Sequence, residues 1–223
     1  MTIRAKLYAA IVLTILGPLA TTGVALHAMS QLGDRFDEVR VHARKEALAL
    51  ELKFDVTDVN GWQTAYGYDL GRSRPQFERS VATFRGHLRA ADRALGEPRE
   101  RELARLLRGE FQAFMALDVA AYRALRAGRE GRTRQIFLGP EIRRFEAMAG
   151  TADDLARYEA RHAAATKRAF DDARDDARRR LIAVAVGAAI VIVLLLVTAN
   201  DIARLALERE RTAGRRSGTP TAE

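Results

Sequence analysis

Residues 181–199, LIAVAVGAAIVIVLLLVTA, constrain the fold more than any other stretch of the chain. They carry no charge and no amide, and a hydroxyl only at Thr198. Coiled as a helix at about 1.5 Å per residue, they run about as far as the hydrocarbon core of a bilayer is thick. A helix that is apolar on every side belongs either in lipid or in the core of a large protein. A chain of 223 residues offers nothing else of a size to bury it. The stretch is therefore expected to span a membrane, and the rest of the chain is read from it.

A second uncharged run, residues 7–26, reads LYAAIVLTILGPLATTGVAL and follows Arg4 and Lys6. This is the layout of a secretory signal or of a signal anchor. Gly23, Val24 and Ala25 offer a cleavage site, but the run is longer than a signal core, which favours an uncleaved anchor. Gly17 and Pro18 are expected to kink it, as membrane helices tolerate. Two spans place both termini on one side. Arg4 and Lys6 keep the N-terminus cytoplasmic by the positive-inside bias. The tail, with Arg204, Arg209, Arg211, Arg215 and Arg216, follows it there. Arg178, Arg179 and Arg180 on the other side run against the bias, which is weak for long translocated segments. The expected order is a cytoplasmic N-terminus (1–6), a first span (7–26), an extracytoplasmic domain (27–180), a second span (181–199) and a short cytoplasmic tail (200–223), disordered from Arg215 onward. This makes a two-pass protein of the cell membrane.

The formal charge of +8 does not point to nucleic acid, because the arginines are interspersed with nearly as many acids. Solvated helix faces and acidic lipid headgroups are the more natural context. There is no cysteine, so neither a disulfide nor a thiolate metal site is available.

The outer segment is rich in Ala, Leu, Arg and Glu, all good helix formers, and Pro and Gly cut it into four main helices. The first continues out of the first span to about Leu70 and carries two apolar stripes. One is Phe36, Val39, Ala43, Ala47, Leu50, Phe54, Gly61 and Ala65. The other is Val41, Leu48, Leu52, Val59, Trp62, Tyr66 and Leu70. A helix with one partner surface needs one stripe, so two stripes imply packing in its own domain and against a second subunit, a homodimer. After a turn over residues 71–75, with Ser73 as the expected cap, Phe77, Val81, Phe84, Leu88, Ala91 and Leu95 form a heptad seam. Gly96 and Pro98 separate it from a third helix with Leu103, Leu107, Phe111, Phe114, Leu117, Ala121 and Leu125. Gly128 and Gly131 end that helix, and a short piece with Ile136, Phe137 and Leu138 precedes Gly139 and Pro140. The fourth helix starts near Glu141, with a bend possible at Gly150 and Thr151. Its seam is small: Ala152, Ala156, Ala163, Phe170, Ala173, Ala177 and Leu181. The expected fold is all-α, an antiparallel up-down four-helix bundle flanked by two transmembrane helices.

The most distinctive stretch is residues 58–69, DVNGWQTAYGYD, with the only tryptophan. Asp55, Val59, Trp62 and Tyr66 share a helix face, with Asp58 at its edge. Asp55 falls among Leu52, Val56 and Val59, where an ionised carboxylate needs a partner; Arg123 and Arg157 are candidates. One reading makes Asp55, Asp58, Trp62, Gln63 and Tyr66 a small-molecule ligand pocket with aromatic walls and polar groups. The other makes Trp62 and Tyr66 an i, i+4 packing layer at the end of the bundle. Aromatic side chains at this spacing more often pack a core.

DVNGWQTAYGYD, in a first helix that follows an N-terminal span, resembles the four-helix-bundle sensor domain of bacterial methyl-accepting chemotaxis proteins. The resemblance covers about residues 1–199, and beyond the motif it is one of helix pattern. It implies a homodimeric extracytoplasmic receptor domain that passes a ligand-induced helix displacement through the second span. Ligand residues vary widely in that family, so none is carried over. Family receptors continue into a HAMP linker and a long signalling coiled coil. Here the 24 residues after residue 199, opening with Asn200 to Leu205, are too few for it.

No phosphate-cradling Gly loop and no nucleophile elbow occurs. A di-iron bundle needs two Glu-x-x-His pairs. There is one, Glu159 and His162; His27, His42 and His87 lack the matching Glu. The paired acids Asp153/Asp154, Asp171/Asp172 and Asp175/Asp176 lie beside arginines as salt-linked surface. No enzymatic activity, metal or cofactor is expected. The expected function is a membrane-anchored sensor in which a ligand or partner binds the bundle across the dimer interface, shifts the fourth helix and, through the second span, a basic helix over residues 202–211. The alternative is a non-sensing interaction protein, a truncated receptor that pairs with full-length chemoreceptors and modulates them.

Overall fold

The structure, a computed structural model, describes the backbone of residues 3–216 and, within it, the side chains of Tyr8, Val12, residues 14–200, Ala203 and Arg204. The charges expected to set topology at Arg4, Lys6, Arg209, Arg211, Arg215 and Arg216 fall outside those side chains. The disorder expected from Arg215 falls, past Arg216, outside the described residues.

The described chain is all-α. Its elements are α1 (Ile3–Tyr68), α2 (Arg74–Ala94), α3 (Pro98–Arg126), α4 (Glu130–Ile136), a π-helical turn (Phe137–Glu141) and α5 (Ile142–Arg216). Two compact units divide it, residues 35–169 and the two terminal stretches 1–34 and 170–223.

Within residues 35–169 the seams read from the sequence become the core. Phe77, Val81, Phe84, Leu88, Ala91 and Leu95 are all buried. They meet Leu103, Leu107, Phe111 and Phe114 of α3, Leu52, Val56, Val59 and Tyr66 of α1, and Met148, Ala152, Leu155 and Ala156 of α5. Each large apolar side chain removed from water contributes about 1.5–3 kcal/mol before entropy is charged. Phe84 and Phe111 meet edge to face, with ring centroids 4.7 Å apart. The α5 seam read from the sequence holds only alanines before Phe170. Met148 and Leu155 fill the space between them and give it more area than that.

The helix ends follow local chemistry. α1 stops where Leu70 (φ +56°) and Gly71 (φ +95°) turn left-handed, and the Gly71 N–H returns to the Tyr66 carbonyl at 2.7 Å. Ser73 does not cap α2 through its hydroxyl. It donates instead to Asp69 Oδ2 at 2.5 Å, while the Ser73 N–H donates to Asp69 Oδ1 at 3.1 Å. The carboxylate closes the turn and takes the hydroxyl that a cap needs, and these bonds hold Asp69 below the usual carboxylate range. α3 begins with Pro98 at its first turn, and the Glu100 carboxylate accepts the N–H groups of Gly96 (2.6 Å) and Glu97 (2.9 Å). α5 runs without interruption through Gly150, and the Thr151 hydroxyl donates to Glu110 Oε2 of α3 at 3.0 Å.

In the terminal unit the α5 side chains Ile182, Val186, Ile190, Val193, Leu194 and Leu196 are all exposed. An 18-residue window in this region has a mean hydropathy of 3.1 with none of it buried, long and apolar enough to cross a membrane. In the first apolar run Ile15, Leu16, Leu19 and Leu26 are likewise exposed, and Pro18 lies inside α1.

Two glycines of α1 separate packing from propensity. A Cβ on Gly67 would stand 2.6 Å from the Phe137 ring, whereas one on Gly61 meets nothing within 4 Å. Gly67→Ala is expected to cost about 1–3 kcal/mol through overpacking. Gly61→Ala is expected to gain about 0.5–1 kcal/mol of helix stability. Chemical unfolding of both variants followed by circular dichroism reads the opposite signs.

Candidate functional site

The five residues singled out in the sequence separate into three settings. Gln63 and Tyr66 enter a buried polar cluster, Asp55 enters a different pair, and Trp62 and Asp58 lie at the edge.

The cluster is built by α1, the start of α2, α3 and the π-helical turn. Tyr66 is fully buried, and its hydroxyl donates to Asp118 in a short bond. The Arg74 guanidinium donates through one nitrogen to both Asp118 oxygens at 2.9 Å. It also lies over the rings of Tyr66 (5.0 Å), Phe77 (4.5 Å) and Tyr122 (4.5 Å). Aromatic faces suit this planar, weakly hydrated cation. Beside it, Gln63 Nε2 donates to Glu141 Oε1 in a short bond, and Glu141 Oε2 is buried with no donor. Phe137 and Tyr122 close the layer edge-on against Tyr66, at 5.9 and 5.7 Å.

The electrostatics follow from burial. Asp118 is pushed above its ordinary value by desolvation, against the pull of Tyr66 and Arg74. Desolvation, then the neighbouring Asp118 charge, raises Glu141 to about 8. Two buried carboxyls facing one arginine keep a balanced charge only if one of them holds its proton, and Glu141 is that one. The Tyr66 phenol is raised, by burial first and then by Asp118.

Asp55 is buried as expected, but its partner is not an arginine. His87 Nδ1 of α2 lies 2.7 Å from Asp55 Oδ2, and His87 Nε2 lies 3.6 Å from Glu51 Oε2. Arg157 is occupied on its own helix by Asp153 (2.9 Å) and Asp154 (2.8 Å), and Arg123 is exposed. A half-buried imidazole suits the site because it brings a donor without the cost of a buried permanent charge. Burial still leaves Asp55 raised, with His87 opposing. Trp62 is 37% exposed, so it does not form a buried layer with Tyr66.

Sequence reasoning missed Arg74, Asp118 and Glu141. For Asp118 a signal was present: the step pattern 107, 111, 114, 118, 121 puts it on the α3 seam, and Leu117, chosen for its hydrophobicity, is only half-buried. Glu141 gave none, since the π-helical turn shifts the phase of the chain there. Among the described residues no three His, Asp or Glu side chains converge as metal donors. Glu159 and His162 of the single Glu-x-x-His pair diverge, the first buried against Glu100 and the second tilted against the Tyr158 ring at 4.5 Å.

Aromatic rings pack around the cluster. Two open clefts, of about 510 and 500 Å³, lie along α2 and α3, lined by Asp92, Arg101 and Arg105 and by Arg85, Arg89 and Arg108. None of the five expected residues lines either one. Compared with known family models, curated proteins and solved structures, the chain matches none.

Removing Asp118 leaves the Arg74 guanidinium only the exposed Glu78 carboxylate at 3.1 Å and leaves the buried Tyr66 hydroxyl without its acceptor, so Asp118→Ala is expected to cost about 3–5 kcal/mol in denaturant unfolding. Glu141 binds a proton in the folded state that its unfolded counterpart, at the ordinary 4.5, has lost by neutral pH. Its contribution is complete below about pH 4.5 and is lost as pH rises through about 8, so stability falls across that window. Glu141→Gln is expected to flatten that part of the slope, read from unfolding midpoints between pH 5 and 9.

Proposed function

We propose that residues 27–180 form an antiparallel up-down four-helix bundle held outside the cell membrane between spans at 7–26 and 181–199, with both termini cytoplasmic. The bundle serves as a homodimeric sensor of the chemoreceptor type. The observation that carries this reading is the exposed apolar window of α5, mean hydropathy 3.1, in the helix whose residues Met148 to Ala156 help build the core. Such a surface is stable in lipid and costly in water. The second support is α1. Leu52, Val59 and Tyr66 of one stripe are buried in the core, although Val41, Trp62 and Leu70 of that stripe are exposed, while Leu50 and Phe54 of the other are 52% and 69% exposed. Exposed apolar residues repeated along one helix suit a second copy of the same helix. Binding of a small molecule near Trp62 that favours one arrangement of the dimer would shift α5, and through it the cytoplasmic segment.

The internal pairing of Tyr66 with Asp118 and of Gln63 with Glu141 favours keeping a second reading, from another class. With those groups engaged within the chain, the bundle would act as an interaction protein, and the same α1 stripe would pair with full-length chemoreceptors.

Because the chain has no cysteine, a single Phe54→Cys gives a clean readout. In membranes, the sensor reading expects an oxidised homodimer of the full chain, resistant to carbonate extraction. Its central segment would be cut by protease added from outside. A small molecule raising the melting temperature, with Trp62→Ala abolishing the rise at unchanged helicity, supports sensing. Copurification with a chemoreceptor and no ligand shift supports the alternative, and release by carbonate sinks both.

A further inference from the structure

A second buried carboxyl cluster lies where α1, α3 and α5 meet, away from the one around Tyr66. Glu159 of α5 is fully buried, and neither of its carboxylate oxygens has a hydrogen-bond donor. It faces the carboxyl of Glu100, itself 1% exposed. Glu100 is an acceptor only: Lys45 Nζ of α1 donates to Oε1 at 2.7 Å, and the Gly96 and Glu97 N–H groups donate to Oε2, which leaves Oε1 room for one more donor such as the proton of a neutral Glu159. Lys45 is thereby engaged as well. A buried ionised carboxylate without donors is costly, and one beside a second ionised carboxylate more so.

The other groups in the neighbourhood do not relieve it. From the cap of α3, Glu97 adds negative charge and accepts the Tyr158 hydroxyl at 2.8 Å, so Tyr158 points its proton away. From α1 comes His42, whose Nδ1 is buried without a partner and whose ring stacks at 5.9 Å on His162. With Lys45 offsetting Glu100, the Glu97 carboxylate already leaves one excess negative charge beside Glu159, and ionising Glu159 adds a second in a site without donors.

We propose that Glu159 is a proton-operated latch: as the neutral acid it lets α5 seat against the Lys45–Glu100 pair, and loss of its proton to water drives α5 away from α3 at this level. The reading stands on packing within residues 35–169 and does not depend on the sensor reading or on which molecule, if any, the protein detects. Burial, followed by the Glu100 charge, places the Glu159 transition at about pH 7. Lys45 hydrogen bonding and the backbone N–H groups outweigh burial at Glu100 and hold it below its ordinary value, so the proton resides on Glu159. The sign is set: a raised acid keeps its stabilising proton at low pH and gives it up as pH rises, so the latch opens on the alkaline side.

The test uses the full chain in detergent or nanodiscs, with spin labels on Arg101→Cys and Arg161→Cys, both exposed positions. Labelled protein is diluted in unlabelled protein so that only distances within one chain are read. Between pH 5.5 and 8.5 the distance distribution is expected to gain a longer component with a midpoint near pH 7, and Glu159→Gln is expected to hold the short distance throughout. A pH-independent distance in the parent protein overturns the proposal, as does the same transition surviving in Glu159→Gln. If that variant does not fold, Glu100→Gln decides, because it removes the facing charge and frees Lys45 for Glu159. The midpoint must then fall by at least one pH unit, and an unmoved midpoint overturns the latch.

Discussion

Everything in residues 35–169 depends on four helical segments burying one apolar seam each against the others. Phe77, Phe84, Leu107 and Phe114 are completely removed from water, and so are Leu52, Tyr66, Met148 and Leu155. Most helical stability in a protein comes from packing of an apolar face, and the ordering entropy of the chain is met by burial shared among all four. The short connections follow from this, since Gly71, Pro98 and the π-helical turn bring each segment back within reach of the last.

Into that seam the chain places acids rather than more leucines. Asp55, Asp118, Glu100, Glu141 and Glu159 are all buried, in a core that close packing of apolar residues would have satisfied. Each is handled differently. His87 meets Asp55, and Arg74 with Tyr66 meets Asp118. Lys45 and two backbone N–H groups meet Glu100, while Glu141 and Glu159 remain with oxygens that no donor reaches. The two incompletely partnered acids each stand beside a partnered one, which is why the proton settles on them. Buried polar groups of this kind weaken packing relative to hydrophobic replacements, and they make it respond to protonation.

The helices themselves were legible because periodicity needs no tertiary information. The α2 seam from Phe77 to Leu95 is buried at every position expected. The two stripes of α1 were visible too, and which of them faces inward was settled by contact: Leu52 and Val59 are in the core while Phe54 is not. The candidate site was legible only in part. Gln63 and Tyr66 belong to a buried cluster, but Trp62, on the same helical face by wheel geometry, reaches the surface. A helical wheel gives angle and says nothing of where a neighbouring helix ends. Asp55 was correctly placed among apolar neighbours, yet its partner came from α2, about thirty residues on, because pairing depends on which helices touch.

The sequence by itself determined that this protein is helical, that a stretch near its C-terminal end is apolar on all sides, and that no thiol chemistry is open to it. These are properties of composition and of spacing along one chain, set by local sterics and by hydrophobic transfer. Only the tertiary structure decided which carboxylates are paired, which stand without donors, and which glycine of α1 a neighbouring ring touches. Those outcomes depend on distances between residues far apart in the chain, and charge and packing energies change steeply over the few ångströms that periodicity leaves open.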